Sequence, residues 1–298
     1  MKIAFGVVTF RNSAAEIARL LNSLKDNDVL DSDVYLLENS HNSEPFEQLS
    51  KERPALHTIS ATKNTGYAGG NNLLLDLIFA SHYDLVCICN PDIKIAKNSV
   101  QGLRQAVMLE GCSVGLIGGV ERDGGSGNIR TAGGWKYSWV TSRAKWRAVP
   151  AQCAVYPVPF VQGAFVGFTR LAYDSGVRLH EGIRMYYDEV ALGFEVAKRG
   201  LSCVCSPLID YTHFNNSKGT LVTAYWHHRN RVLVSRLYND RWKFLVFTGI
   251  IILIEMPLKL PWGFWRRRKG FWIYYTACCR GVRDGFIAQL GDWPTGGA

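Results

Sequence analysis

Residues 85–92 of this 298-residue chain read LVCICNPD. The first five are all apolar, and Asn90-Pro91-Asp92 then interrupts the run. A short apolar run bounded by turn residues is typical of a strand that is buried on both faces. Parallel sheets covered by helices on both sides are built from such strands, so this stretch predicts an α/β fold.

The sequence around this strand alternates between strand-like and helical patterns, which predicts a mostly parallel sheet flanked by helices, with ligands bound at the carboxyl ends of its strands. We predict strands at Lys2–Val8, Val34–Leu37, Leu56–Ser60 and Val114–Ile117, and helices at Ala14–Leu24, Gly70–Ala80 and Val100–Leu109. Beyond them we predict a mobile polar loop at Asp123–Gly134, strand character over Tyr156–Phe168, a helix at Asp188–Lys198 and a strand at Leu201–Cys205.

Cysteine usage and the first residues favour a cytoplasmic protein. The eight cysteines have neither the spacing of a disulfide framework nor that of a zinc site, and we interpret them as reduced core thiols. The apolar part of the first nine residues is too short for a signal peptide, so we interpret it as the first strand.

The net charge of +9 is concentrated in the last quarter of the chain, where twelve basic residues from Arg229 onward stand against four acidic ones. The apolar stretch Phe244–Met256 has only 13 residues, whereas a spanning helix needs about 20. Its basic and aromatic flanks favour an interfacial segment on an anionic membrane, and a buried core helix is the alternative. Those flanks are Arg241, Lys243, Trp262, Phe264, Trp265 and Arg266–Lys269. The basic residues adjoin an apolar segment rather than a polar groove, which argues against a nucleic-acid partner.

Asp92 is a candidate ligand for a divalent cation, because it directly follows the buried strand. Mg²⁺ or Mn²⁺ takes one or two protein carboxylates together with substrate phosphate oxygens. The alternative is that Asn90-Pro91-Asp92 only makes a turn and caps the next helix.

Three further motifs carry polar chemistry. The glycines of Asn64–Asn72 precede a helix, where free N–H groups attract phosphate, although glycines there also serve packing. Asp188 and Glu189 begin another predicted helix, either as a general base or as charges that favour the helix dipole. His213 follows a predicted strand and could meet a metal or a diphosphate, although a lone histidine is more often structural.

In this order, these motifs resemble the family 2 glycosyltransferases, and especially their bacterial rhamnosyltransferase-like branch. The resemblance runs through nearly the whole chain. The matching segments are Asn64-x-Gly66-Tyr67-Ala68-x-Gly70-x-Asn72, Asn90-Pro91-Asp92, Gln162–Phe165, Glu181–Glu189, His213 with Ser217, Tyr225–Arg231 and Gly281–Gly285. The chain departs from the pattern at Glu38, Ala191 and Glu195, where the family usually has Asp, a carboxylate and Arg.

The resemblance implies a GT-A (Rossmann-like) catalytic domain over residues 1–222, with a nucleotide-sugar half at about 1–120 and an acceptor half at 121–222. Residues 223–298 would form a helical, basic, membrane-associating region. The implied activity is inverting transfer of a sugar, L-rhamnose from dTDP-rhamnose, to a lipid-diphosphate-linked glycan. This reaction would serve bacterial O-antigen or capsule synthesis at the inner face of the cell membrane.

The resemblance also implies residue roles. Glu189, or else Asp188, would be the catalytic base, and Asp92 with His213 would hold Mg²⁺ or Mn²⁺. The donor would contact Thr9, Arg11, Glu38, Asn39, Asn64, Gly66, Tyr67, Gly70, Asn72 and Asn90.

Two alternatives stay open. The same fold could use a UDP- or GDP-sugar. A non-catalytic nucleotide- or glycan-binding assembly protein is supported only by the loss of a carboxylate at Ala191. An NAD-dependent oxidoreductase is disfavoured, because the Gly-x-Gly-x-x-Gly fingerprint is missing. The oligomeric state is left open.

Overall fold

The structure is a computed structural model that describes residues 1–40, 44–110, 113–214, 221–265 and 270–287, without the side chains of residues 44, 45, 110 and 261–265. Ser217 and Arg266–Lys269, which the sequence analysis singled out, lie outside the described residues. The side chains of Trp262, Phe264 and Trp265 lie outside them too.

The described residues alternate strands and helices in the first half of the chain and are helical at the end. The strands are β1 (Ile3–Thr9), β2 (Val34–Glu38), β3 (His57–Ser60), β4 (Leu85–Cys89), β5 (Ile93–Ile95), β6 (Val114–Asp123), β7 (Ile129–Thr131), β8 (Gly134–Ser138), β9 (Arg143–Trp146), β10 (Tyr156–Val158), β11 (Phe165–Thr169) and β12 (Ser202–His213). The helices are α1 (Ala14–Lys25), α2 (Glu44–Glu52), α3 (Gly66–Ala80), α4 (Ser99–Glu110), α5 (Arg170–Asp174), α6 (Asp188–Lys198), α7 (Leu221–Tyr238), α8 (Arg241–Ile250), α9 (Met256–Trp265) and α10 (Phe271–Ile287).

The main sheet has the strand order β10-β12-β6-β11-β4-β1-β2-β3, with β5 on β12 and β7 on β6. The pairs β1–β2, β1–β4, β2–β3 and β6–β12 are parallel, whereas β11 runs antiparallel between β4 and β6. All five residues of β4 are buried. The predicted fold class, a mostly parallel sheet flanked by helices, is therefore confirmed.

Side chains of successive strand residues enter two separate cores, one on each face of the sheet. Phe5 and Val7 of β1 pack with Leu20 of α1 and Leu103 of α4 on one face. On the other face Ala4 belongs to the cluster that contains Leu74, Ile78 and Phe79 of α3. The helices on both sides leave the strand ends as the part of the sheet open to ligands.

Two segments differ from their predictions. The predicted mobile loop Asp123–Gly134 contains β7, which pairs antiparallel with β6, so this segment is a hairpin. The carboxylate of Asp123 accepts hydrogen bonds from the N–H groups of Gly125 and Ser126, which closes the turn. The strand pattern over Tyr156–Phe168 divides into β10 and β11, which occupy different positions in the sheet.

The C-terminal helices pack against one another and against α6. α7 occupies Leu221–Tyr238. A π-helical turn at Ile251–Glu255 joins α8 to α9, and α10 packs along α7. Within the described residues, no helix is both long and apolar enough to cross a bilayer.

Gly281 and Gly285 let α10 approach the backbone of α7 closely. A Cβ at Gly285 would lie 2.5 Å from the Arg229 carbonyl oxygen, and one at Gly281 would lie 2.4 Å from that of Tyr225. Real Cβ atoms do not approach so closely, because hard-sphere repulsion rises steeply. The predicted Gly-x-x-x-Gly segment is therefore a helix–helix contact.

We predict opposite effects of alanine at two helical glycines. Gly285→Ala overpacks the α7–α10 contact and should lower the free energy of unfolding by about 1–3 kcal/mol. Gly249→Ala is the matched control, because a Cβ there meets nothing within 4 Å. It should raise stability by about 0.5–1 kcal/mol, as expected for replacing glycine inside a helix. Thermal unfolding of the two variants checks this, and an equal rise in melting temperature would contradict the close contact.

Candidate functional site

The carboxyl ends of β1 and β2 bring the predicted nucleotide residues together. Thr9 and Glu38 are paired in the parallel register, and the Thr9 hydroxyl donates a hydrogen bond to the Leu37 carbonyl at 3.2 Å. The Glu38 carboxylate is buried and accepts hydrogen bonds from the N–H and hydroxyl of Ser40. Arg11 lies exposed just beyond β1, with its guanidinium 5.2 Å from the Phe10 ring centroid.

The buried Asn39 side chain fastens the end of β2 to the start of α3. Its Nδ2 donates to the Gly66 carbonyl at 3.1 Å, and its Oδ1 accepts from the Thr65 N–H at 3.0 Å. The Gly66 N–H donates to Asn64 Oδ1, and the Tyr67 N–H donates to the Arg184 carbonyl. The expectation of free N–H groups here is therefore corrected for Thr65, Gly66 and Tyr67, because the chain itself binds them.

The remaining residues of the glycine motif fix α3 in place. Gly66 has a φ of +73°, a conformation that favours glycine. A Cβ at Gly70 would lie 3.0 Å from both Val8 methyl carbons, so Gly70 allows α3 to pack closely on β1. Asn72 donates from Nδ2 to the Leu179 carbonyl and accepts the Leu179 N–H on Oδ1. Packing alone thus accounts for Gly70 and Asn72, and their contact with a donor stays a prediction.

Strand pairing places Asp92 beside His213. β5 pairs antiparallel with β12 and sets Ile93 opposite His213, so Asp92 reaches the end of β12. Asp92 Oδ1 lies 3.2 Å from His213 Nε2, and Glu121 Oε1 lies 3.0 Å from His213 Nδ1. The alternative that Asp92 caps a helix is excluded, because a strand follows it.

The charges around His213 determine its protonation. Burial alone would lower the pKa of His213, but Asp92 and Glu121 outweigh burial and raise it to about 9. The imidazole is therefore protonated at neutral pH, and a cation would have to displace that proton.

The chemistry of this cluster suits a hard divalent cation. A ligating histidine commonly donates its second ring nitrogen to a carboxylate, as His213 Nδ1 can towards Glu121. Asp92 Oδ1 lies within ion-pair distance of His213 Nε2, and Glu121 Oε2 has no hydrogen-bond partner in the described part of the chain. Although Asp92, His213 and Glu121 are neighbours, no three His, Cys, Asp or Glu side chains among the described residues are placed to hold one metal ion by themselves. Asp92 and His213 would thus supply two ligands, and phosphate oxygens and water the others.

Asn90 connects this cluster to the second half of the site, because its N–H donates to the Ala164 carbonyl at 2.9 Å. The neighbouring Gly163 carbonyl accepts a 2.6 Å hydrogen bond from the Tyr67 hydroxyl. A Cβ at Gly163 would lie 3.9 Å from Glu189 Oε2 and 3.8 Å from the Tyr67 hydroxyl. Gly163 therefore lies beside both the Tyr67 hydroxyl and the Glu189 carboxyl.

Close packing of α6 sets the position of Glu189. Gly193 lies one turn further along the same helix face, and a Cβ there would lie 2.3 Å from the Pro159 carbonyl oxygen. Glycine at this position lets the first turn of α6 lie directly against residues 159–163.

Burial dominates the electrostatics of Asp188 and Glu189. It raises the pKa of Glu189 to about 7, with a smaller upward contribution from Glu121. It also raises the pKa of Asp188 well above its usual range, and Asp188 Oδ1 has no hydrogen-bond partner in the described residues. A helix dipole would lower both values, so favourable dipole charge is not the main effect here. Glu189 instead has the proton affinity of a base that works near neutral pH.

Two residues of this site were missed by sequence reasoning. Glu121 is fully buried on β6, and the predicted strand ended at Ile117, so the carboxylate attracted no attention. Gly163 belonged to a motif that was interpreted only as a strand. The sequence signal that could have identified Glu121 is a carboxylate at the end of an apolar run.

Solved glycosyltransferase structures share this fold. GalNAc-T7 with UDP, GalNAc and Mn²⁺ matches with a TM-score of 0.66 and 11% identity, covering 97% of this chain and 56% of that one. S. aureus TarS (residues 1–349) matches with a TM-score of 0.58 and 12% identity, covering 96% and 81%. The mannosyltransferase PcManGT from Pyrobaculum calidifontis, in complex with GDP-Man and Mn²⁺, matches with a TM-score of 0.57 and 12% identity, covering 96% and 87%.

This chain spans little more than half the length of GalNAc-T7. No family model and no curated protein matches the sequence. The structural likeness establishes the fold, which is the GT-A type found in these glycosyltransferases. Membership of family 2 and of its rhamnosyltransferase-like branch stays a prediction.

Proposed function

We propose that this protein is a glycosyltransferase that moves a sugar from a nucleotide-sugar donor to an acceptor hydroxyl. The observation that carries the proposal is the Glu189 carboxyl, with a pKa of about 7, placed beside Gly163 and Tyr67. The Asp92–His213 pair adjoins the same segment through Asn90 and Ala164. This transfer needs a base for the acceptor's proton and a cation for the charge of the departing diphosphate, and the residues for both lie at one edge of the GT-A sheet.

The chemistry is a single displacement. The acceptor oxygen forms a bond to the anomeric carbon while the bond from that carbon to the diphosphate oxygen breaks, which inverts the configuration. Glu189 accepts the acceptor's proton, and Asp188 is the alternative base. Asp92 and His213 would hold Mg²⁺ or Mn²⁺, which offsets the negative charge of the departing diphosphate.

Tyr67 lies where the proposed donor half meets the proposed base. Burial, followed by the charges of Asp188 and Glu189, raises the pKa of Tyr67 well above its ordinary value. The Tyr67 hydroxyl therefore stays protonated and keeps donating to the Gly163 carbonyl.

We place donor binding in residues 1–120, acceptor binding in 121–222 and membrane association in 223–298.

The proposed donor is dTDP-rhamnose, on the resemblance of the Asn64–Asn72 and Asn90–Asp92 motifs. UDP- and GDP-sugars are the alternatives, and the GalNAc-T7 and PcManGT structures contain UDP and GDP-Man, respectively. Both structures also contain Mn²⁺, which supports a divalent cation as cofactor here.

Donor and metal binding are tested by thermal unfolding with dTDP-rhamnose, UDP-sugars and GDP-sugars, each with Mn²⁺ or with EDTA. We expect one nucleotide class to raise the melting temperature only with Mn²⁺, because a ligand that binds only the folded state stabilises it. Asp92→Asn should abolish this rise, whereas Asp76→Asn on the exposed face of α3 should keep it. Absence of any shift, or an undiminished shift and full transfer in EDTA, would contradict the metal-dependent donor site.

The catalytic base is tested by turnover. Glu189→Gln should lower kcat by about 10²–10⁴-fold, because the amide cannot take a proton. Asp188→Asn should have a smaller effect. In the unaltered protein kcat should rise with pH through about 7, since the base acts only after Glu189 has lost its proton. A full kcat in Glu189→Gln together with loss in Asp188→Asn would assign the base to Asp188. Full turnover in both variants would reject the carboxylate base.

The C-terminal region presents an apolar face that supports peripheral membrane association. Every exposed residue from 244 to 258 is apolar, and Leu253 is 74% exposed. Glu255 in this stretch is half-buried, and its carboxylate pairs with Arg231 at 2.8 Å. The large exposed apolar residues on α8–α10 are Trp242, Leu245, Val246, Ile252, Leu253, Ile254, Leu258, Trp272, Ile273, Tyr274 and Ile287.

We propose that an anionic bilayer, rather than a second copy of the chain, covers this face, because the region carries net positive charge. In the described part of the region each acidic residue is already paired: Asp240 with Lys243, Glu255 with Arg231 and Asp284 with Arg283. The excess basic charge would repel itself across a two-fold interface but attracts anionic headgroups. A protein attached there at the inner membrane face could reach a lipid-diphosphate-linked glycan acceptor.

Membrane association is tested by co-sedimentation with phosphatidylglycerol-containing vesicles at low salt. Leu253→Glu should weaken binding by about tenfold or more, because it removes one buried leucine side chain from the contact. Leu109→Glu on α4 is the matched control, since Leu109 is exposed in the catalytic domain. If the unaltered protein ignores the vesicles and Leu253→Glu instead dissolves a dimer, the face is a protein interface.

A further inference from the structure

The backbone immediately before the proposed base is strained. Arg184, Tyr186 and Tyr187 have φ values of 65°, 60° and 70°, in the left-handed region that favours glycine. Each such residue is disfavoured, because its Cβ crowds the carbonyl oxygen. The segment leads directly into Asp188 and Glu189 at the start of α6. Contacts from elsewhere must hold it in this conformation.

Asn230 of α7 supplies those contacts. Its fully buried side-chain amide donates from Nδ2 to the Ile183, Met185 and Tyr186 carbonyls at 3.0, 2.7 and 3.0 Å. Two N–H groups serve three acceptors, so one N–H is shared. A single side chain thus fixes three carbonyls around the strained residues.

Arg229 sets the orientation of that amide. Its guanidinium donates to Asn230 Oδ1 and to the Gly182 carbonyl, both at 2.8 Å. Because the guanidinium only donates, Oδ1 must face Arg229 and Nδ2 must face the segment. The pair therefore contacts four carbonyls between Gly182 and Tyr186.

α7 is itself fixed on its other sides. The close approach of Gly281 and Gly285 reaches the backbone at Arg229, and Arg231 pairs with Glu255. The segment has other supports: the Tyr67 N–H donates to the Arg184 carbonyl, and the His227 ring stacks on Tyr186 at 4.8 Å. The Tyr187 hydroxyl donates to the Ser142 carbonyl at 3.1 Å, and the Tyr186 hydroxyl lies 3.2 Å from the Thr223 hydroxyl. These supports hold one carbonyl and the two tyrosine side chains, whereas Asn230 holds three carbonyls.

We propose that Asn230, oriented by Arg229, is a positioning residue that holds segment 182–187 in its strained conformation and so places Glu189 against Gly163. The inference rests on the proposed function of Glu189 as the base. It gives a role to the Arg229-Asn230-Arg231 motif, none of whose side chains the proposed chemistry uses. Asn230 acts through the backbone and need not touch the substrate.

The experiment compares Asn230→Asp with Asn239→Asp, an identical change at the residue that directly follows the same helix. Aspartate is nearly isosteric but offers no N–H donors to the three carbonyls. Asn230→Ser and Asn230→Ala complete the series, because serine keeps one donor and alanine keeps none. Serine also serves if the aspartate variant does not fold.

The first measurement is amide hydrogen exchange by mass spectrometry, which does not depend on catalysis. We expect faster exchange in peptides covering residues 182–189 in the Asn230 variants, with residues 1–60, which make no backbone hydrogen bond to this segment in the described part of the chain, unchanged. The Asn239→Asp control should match the unaltered protein. Unchanged exchange over 182–189 in folded Asn230→Ser and Asn230→Ala would overturn the inference.

The second measurement separates positioning from general damage. We expect kcat to fall in the order Asn, Ser, Ala, Asp, by about 10²-fold at the end of the series, with the donor KM within about twofold, because misplacement by about 1 Å costs that much. A full kcat in Asn230→Ala, or an equal loss of donor binding, would overturn the positioning role. If the unaltered protein transfers no sugar, the proposed function fails, and the exchange result still decides whether Asn230 holds the segment.

Discussion

The burial of β4 on both faces is the constraint on which the rest of the structure depends. A parallel strand in this position must be covered by helices on either side, so its end is the part that ligands can reach. Because β1 lies on one side and β11 on the other, that end adjoins both Thr9 and Gly163. The donor and acceptor sides of the proposed reaction therefore meet where the backbone leaves β4 at Asn90.

Two pairs of carboxyl groups lie along this edge, and they differ in whether a positive charge balances them. Asp92 and Glu121 flank one imidazole and raise its pKa, so opposite charges stabilise each other. Among the described residues Asp188 and Glu189 have no such partner, and burial raises their pKa values instead. The first arrangement suits cation binding and the second suits proton transfer, so environment rather than residue type separates their roles.

The C-terminal helices connect two surfaces through α7. On one side Arg229 and Asn230 hold the segment before α6, and on another Arg231 pairs with Glu255 beside the exposed apolar face. Gly281 and Gly285 bring α10 close enough to fix α7 between them. The region that we assign to the membrane is thus also part of the support for the site.

The sequence by itself determined strands β1 to β4, the first residues of β6 and β12, helices α1, α4 and α6, most of α3, and the choice of Asp92, His213 and Glu189 as candidates, because periodicity and turn chemistry are local. It did not reveal α2, α5, β5, β8, β9, the β7 hairpin or the division of Tyr156–Phe168 into two strands. Only the tertiary structure decided that Glu121 orients His213, 92 positions away, and that Asn39 and Asn72 fasten backbone. These facts depend on strand register and helix packing between distant segments, and on burial that no local pattern encodes.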